Sequence, residues 1–204
     1  SDVYKRQGDI RMKKVVFLGL GYIGLPTAAV AAGHGYEVVG VDVNPSVVET
    51  INQGKIHIVE PELDQIVKEV VRTGNLRAVS KPEQADAFFV VVPTPFKQNH
   101  RADITYVESA TRSVIPYLRE GNLFVIESTS PVFTTERMAE VIYKERPELK
   151  DKIYIAYCPE RVLPGNTLYE LVHNDRVIGG VNPESTAKAI EFYSAFVQGK
   201  LHPT

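Results

Sequence analysis

Four stretches of the 204-residue chain place glycines or polar side chains at spacings that can do chemistry. The first is Gly19-Leu20-Gly21-Tyr22-Ile23-Gly24, a G-x-G-x-x-G run between apolar Val15-Val16-Phe17-Leu18 and an Ala-rich segment. Between a strand and a helix each glycine has a physical task. Gly19 permits the tight turn, Gly21 lets backbone approach a pyrophosphate, and Gly24 lets the helix lie close on the strand. Tyr22 and Ile23 complete the turn at the helix start, where free N–H groups and the positive dipole end attract phosphate. Asp42 follows about twenty residues on, at the end of a second apolar run. A carboxylate there accepts from ribose hydroxyls and repels a 2′-phosphate. No Arg or Lys follows at once to reverse that preference, so the expected cofactor is NAD rather than NADP.

The other three stretches are strand ends running into unusual loops: Val92-Pro93-Thr94-Pro95, Glu127-Ser128-Thr129-Ser130-Pro131, and Tyr157-Cys158-Pro159-Glu160-Arg161-Val162-Leu163-Pro164-Gly165. Taken singly, each is rich in turn formers. Together they supply hydroxyls, a carboxylate and a guanidinium on one edge of a sheet. His34, His57, His100, His173 and His202 have no metal-ligand spacing, and Cys158 is the single cysteine, so no metal site is expected.

These loops need a scaffold. Short apolar runs at Lys14 to Gly19, Glu37 to Asp42, Ala87 to Val92, Leu123 to Glu127, Ile153 to Tyr157 and Arg176 to Ile178 read as buried strands. Helices are expected over Tyr22 to Gly33, Pro45 to Asn52 (with Asn44 as N-cap), Asp103 to Glu120, Thr134 to Glu145 and Pro183 to Gln198. Pro61 to Thr73 is the clearest helix, with Leu63, Ile66, Val67, Val70 and Val71 on one face. Strands alternating with helices predict a Rossmann-type α/β fold: a doubly wound parallel sheet with helices on both faces, and ligands at the carboxyl ends of the strands.

Composition narrows the classes. Apolar residues are 44 % and charged residues 24 %, with a net charge of −2 and no basic block, which argues against nucleic acid or an anionic membrane as partner. No apolar run reaches membrane-spanning length. One cysteine forbids an internal disulfide and suits a reducing, cytoplasmic setting. Met12-Lys13-Lys14 with the apolar run behind it has the outline of a secretory leader, but regular glycines and Pro26 interrupt it. The natural chain is expected to begin at Met12, with residues 1–11 a leader or appended sequence and residues 12–199 the NAD-binding domain.

With Asn174-Asp175-Arg176-Val177-Ile178-Gly179-Gly180 added, the four stretches and Leu25-Pro26 resemble the UDP-glucose/GDP-mannose dehydrogenase family over Lys13 to about Gly199, its N-terminal domain. Ile56-His57-Ile58-Val59-Glu60-Pro61 and Cys158-Pro159-Glu160-Arg161 are most similar to the branch acting on UDP-N-acetyl-D-mannosamine. The resemblance implies an oxidoreductase converting a sugar C6 alcohol to a carboxylate in two NAD-dependent steps. It implies that Pro93, Thr94, Ser128 and Thr129 lie by the cofactor, Thr129 near the reacting carbon. Glu160 would serve as acid/base, acting on water or through it. Glu160, Arg161 and Val162 would meet the UDP-sugar, and Arg176 would touch cofactor or a facing domain. The family's catalytic cysteine, with its lysine and asparagine, lies in a later helical domain, so this chain is expected to be inactive alone, with residues 200–204 starting the connection. A homodimer through the central helices is implied for the whole enzyme. Cys158 sits at a strand end and is expected to be a buried small side chain. Phe133 departs from the family, which has glycine after Ser-Pro-Val.

Other readings of the residues remain. UDP-N-acetylglucosamine or UDP-glucose are alternative substrates. A non-catalytic NAD-binding module needs the same cofactor site, and only a Gly-Gly-His-Cys segment beyond Thr204 would separate it from the enzyme. A 3-hydroxyacid-type dehydrogenase shares the first motif but leaves the Pro-Thr-Pro and Cys-Pro-Glu-Arg loops unexplained.

Overall fold

The computed structural model describes residues 12–97 and 101–204. The expectations for residues 1–11 and His100 lie outside the described residues. The elements run β1 (Lys14–Leu18), α1 (Gly24–Gly33), β2 (Glu37–Val41), α2 (Pro45–Asn52), α3 (Leu63–Arg72), β3 (Leu76–Val79), β4 (Ala87–Val90), α4 (Thr105–Val114), β5 (Leu123–Ile126), α5 (Thr134–Glu145), β6 (Tyr154–Tyr157), α6 (Thr167–His173), β7 (Arg176–Gly180), α7 (Pro183–Tyr193) and β8 (Leu201–Pro203). Among the described residues they build one eight-stranded sheet, in the order β3-β2-β1-β4-β5-β6-β7-β8.

The contiguous apolar strands are contiguous because both faces are covered. Val15 and Phe17 of β1 point into one core while Val16 and Leu18 point into the other, and Phe89 and Phe88 of β4 divide in the same way. The first core is closed by α1, α3, α6 and α7, the second by α4 and α5. In α3 the predicted face buries Leu63, Val67 and Val70. In the first core Phe17 stacks on Phe89 at 4.8 Å, and Phe192 of α7 covers Phe89 at 4.2 Å. Asn44 caps α2 as expected, its side chain accepting from the Ser46 N–H.

Differences from the expectations have local causes. α4 stops at Val114 because Pro116, in the following Ile115–Tyr117 turn, has no N–H for the helical ladder. Strand β3 and helix α6 were not anticipated; both are short, and β3 carries Arg77 in its middle. Leu201–Pro203, expected to begin a connection, pairs parallel with β7 and extends the sheet. The sheet is not wholly parallel either. β7 runs antiparallel to β6, pairing Tyr157 with Gly179 and Ala156 with Gly180. Strand direction depends on the path between strands, which composition does not record. No helix among the described residues is long and apolar enough to cross a membrane.

Candidate functional site: a dinucleotide cleft with a buried acid cluster

Strand β1 lies between β2 and β4, so the chain's path reverses direction across the sheet beside it. A crevice opens at the carboxyl ends of such strands. Here it is a cleft of ≈ 830 Å³ running from Gly19, Gly21, Tyr22, Ile23 and Asp42 to Pro93, Thr94, Ser128, Thr129 and Glu160. Sequence reading anticipated each of these.

The glycines behave as their spacing predicts. Gly19 has φ +96°, and an added Cβ would lie 2.9 Å from the Val91 carbonyl carbon. At Gly24 a Cβ would lie 2.8 Å from the Gly19 carbonyl carbon, so α1 could not seat against the turn. Gly24 is buried behind the cleft and does not line it. Gly21 is different: nothing stands within 4 Å of where its Cβ would be. That open space, at a helix N-terminus without a side-chain cap, fits a pyrophosphate. Asp42 is fixed across from it, Oδ2 accepting from the Leu20 N–H at 3.1 Å and Oδ1 from the Asn44 N–H at 2.9 Å. A carboxylate so held keeps acceptor capacity for ribose hydroxyls.

Ser128 is buried and works mostly inward. Its hydroxyl accepts from the Val92 N–H at 2.9 Å and donates to the Val92 carbonyl at 2.8 Å, tying the two strand-end loops together. Thr129 and Thr94 are left more open on the cleft wall. Phe133 takes a left-handed φ of 67° ahead of α5. Glycine suits that conformation without strain, which explains why the departure matters there.

Beneath the cleft lies a cluster that was only partly foreseen. Glu160 has a 5 % exposed side chain, its Oε1 accepting from the Arg161 N–H at 2.8 Å and its Oε2 2.5 Å from Arg176 Nη1. The contact with Arg176 is an ion pair without hydrogen-bond alignment. Burial pushes the Glu160 carboxyl above the usual range, against the opposing pull of Arg176. Arg176 also donates from Nη2 to the Leu171 carbonyl at 3.1 Å and lies over the Tyr193 ring at 5.0 Å. Arg176 was expected to touch cofactor or a facing domain; in this chain its side chain is 2 % exposed and does not line the cleft. The reversed register is the cause. Continued past the end of β6, it brings Arg176 level with Glu160. Arg161 is exposed and Val162 packs on the core; neither lines the cleft. Cys158 is buried as expected, and burial pushes its thiol up to about 12.

Glu127 and Tyr193 are the members sequence reading missed. Glu127 closes β5, is buried and lines the cleft. The Tyr193 hydroxyl donates to its Oε1 at 2.5 Å, while its Oε2 has no hydrogen-bond partner among the described residues. Burial raises its pKa to about 7. A charged residue ending an all-apolar strand was the available signal. Tyr193 reads as core in a helix and carried none. Glu60 was quoted only for its resemblance. It reaches across the fold, accepting from the Gly165 N–H at 2.9 Å and the Thr167 N–H at 2.7 Å, and so pins the far end of the Glu160 loop.

Fold and cleft together define a Rossmann-type dinucleotide-binding domain of a dehydrogenase. Residues 13–197 match the model of the UDP-glucose/GDP-mannose dehydrogenase family, NAD binding domain, and the chain belongs to that family. It is 53 % identical to UDP-N-acetyl-D-mannosamine dehydrogenase of Yersinia pestis over 90 % of this chain and 46 % of that protein. It is 50 % identical to NDP-N-acetyl-D-galactosaminuronic acid dehydrogenase of Ralstonia nicotianae over 94 % of this chain and 47 % of that protein. The solved UDP-N-acetyl-mannosamine dehydrogenase of Staphylococcus aureus superposes with a TM-score of 0.89 at 40 % identity, over 94 % of this chain and 47 % of that one. The chain thus spans about half the length of the relatives it matches.

Proposed function

We propose that this chain is the cofactor half of a nucleotide-sugar 6-dehydrogenase that oxidises the C6 alcohol of UDP-N-acetyl-D-mannosamine to the uronate in two steps. The observation that carries the reading is the single cleft running from Asp42 to Glu160, which joins a dinucleotide site to a buried carboxylate. The similarity to UDP-N-acetyl-D-mannosamine dehydrogenases supports the choice of sugar. NAD, when bound, supplies the hydride acceptor. The chain's own groups do the rest. Asp42 orients the adenosine ribose, and the Gly21 turn with the start of α1 receives the pyrophosphate. Thr94 and Thr129 border the nicotinamide end, and Glu160 takes a proton from water in the hydrolytic step. Arg161 and Val162, outside the cleft, would meet the nucleotide-sugar once a second half faces them. The cytoplasm, and a homodimer formed through that second half, complete the proposal.

The test is NADH formation by this chain alone and by the longer protein of which it would be the first half. The longer protein should turn over UDP-N-acetyl-D-mannosamine, and its Glu160→Gln variant should stall with an acyl-enzyme. The chain alone should show no steady turnover. Steady turnover by the chain alone, or full activity of Glu160→Gln, would overturn the reading. Relatives named for N-acetyl-D-galactosaminuronic acid favour a second sugar, and faster turnover of UDP-N-acetyl-D-galactosamine would select it.

A further inference from the structure

Two carboxylates, Glu127 and Glu160, share one buried cluster with the single guanidinium of Arg176. Among the described residues, the remaining polar groups around Glu127 are the Tyr193 hydroxyl and the Cys158 thiol. Burial holds both protonated, so neither adds a countercharge. One cation faces two carboxylates: Arg176 lies in contact with Glu160 and pulls on Glu127 only from farther off, too weakly to offset its burial. Among the described residues, Glu127 is left without a cation in contact. Its Oε1 takes the Tyr193 hydrogen bond, and its Oε2 is enclosed with no hydrogen-bond partner among the described residues. An oxygen in that setting is better satisfied as O–H than as O⁻. Yet Glu127 also belongs to the wall of the cofactor cleft, at the end opposite Asp42.

We propose that Glu127 is a proton-linked sensor of cofactor charge, holding more of its proton in the free protein and releasing part of it to solvent when oxidised cofactor binds. The inference rests on the reading that the adenosine end lies at Asp42, which brings the nicotinamide toward Glu127 and Glu160. The oxidised ring is cationic and the reduced ring is neutral. Only the first adds the countercharge that Glu127 lacks, and only the first makes the carboxylate form favourable. The residue therefore favours binding of the oxidised form at higher pH and leaves the reduced form indifferent. This gives the domain a means of telling the two redox states apart where a hydride is to be accepted.

The pKa of about 7 puts the exchange in an accessible range. A nearby positive charge that lowers it by about one unit releases roughly 0.4 proton at pH 7, and NAD⁺ then binds about fivefold more tightly at pH 8 than at pH 6. Calorimetric titration of the chain with NAD⁺ and with NADH, in phosphate and in Tris buffers, reads the proton number directly. The expected result is release with NAD⁺ and none with NADH. Glu127→Gln, which can still accept from Tyr193, should abolish release with NAD⁺. Tyr193→Phe removes a hydrogen bond that steadies the carboxylate, so release should persist with its midpoint moved to higher pH. That variant carries the test if Glu127→Gln does not fold. Equal proton release with NADH, release that survives Glu127→Gln, or no release by the unaltered chain would overturn the proposal. Failure to bind either form would remove the dinucleotide reading itself, and this inference with it.

Discussion

Gly21 and Gly24 belong to one motif, yet the structure assigns them opposite failures when a side chain is added. A Cβ on Gly21 meets no atom within 4 Å, and its φ is not left-handed, so Gly21→Val should fold with stability within about 0.5 kcal/mol of the original. The isopropyl group would then stand where the pyrophosphate meets backbone. Losing one charge-assisted hydrogen bond of about 1.5–3 kcal/mol weakens NADH binding by about ten- to a hundredfold. Gly24→Ala fails the other way. Its methyl group would press on the Gly19 carbonyl, with that carbon only 2.8 Å away and α1 held by its own buried face. Overpacking against backbone costs about 3 kcal/mol, which lowers Tm by roughly 6–12 °C in a chain of this length. Thermal unfolding by circular dichroism with an NADH fluorescence titration separates the two outcomes. If Gly21→Val lost stability as Gly24→Ala does, or bound NADH normally, the assignment of open space to the phosphates would be wrong.

Asp42→Ala should weaken NADH binding by about ten- to a hundredfold and reduce the preference over NADPH, as measured by nicotinamide fluorescence; equal NADPH binding by the unaltered chain would refute the role. Phe133→Gly relieves a left-handed backbone at an exposed site and should stabilise by about 1 kcal/mol, raising Tm by roughly 2–4 °C. Glu60→Ala strands the Gly165 and Thr167 N–H groups, should cost about 3 kcal/mol, and should expose the Glu160 loop to limited proteolysis. The Glu127 pKa is raised by folding from an ordinary 4.5 to about 7, so its contribution is complete below pH 4.5 and is lost as pH rises through 7. The loss amounts to at most about 3 kcal/mol. Denaturant melts should show that decline, and Glu127→Gln should flatten it.

What the sequence by itself determined was whatever depends on neighbours along the chain. The glycine spacing, the acid about twenty residues on, and the 3.6-residue period of Leu63 to Val71 act through local backbone geometry, so they could be read directly. So could the alternation of strands and helices, and with it the sheet edge that carries Asp42, Thr94, Thr129 and Glu160. Tertiary structure decided what depends on pairing between distant segments. The reversal of β7 set the register that brings Arg176 beneath Glu160, and no pattern near either residue encodes it. Glu60 reaches the loop at Gly165 only because the chain folds back on itself. Tyr193 reads as an ordinary core residue of α7 until the sheet carries Glu127 to its hydroxyl. A buried carboxyl's protonation is set by everything packed around it, and the strand order assembled those neighbours from segments far apart in the chain.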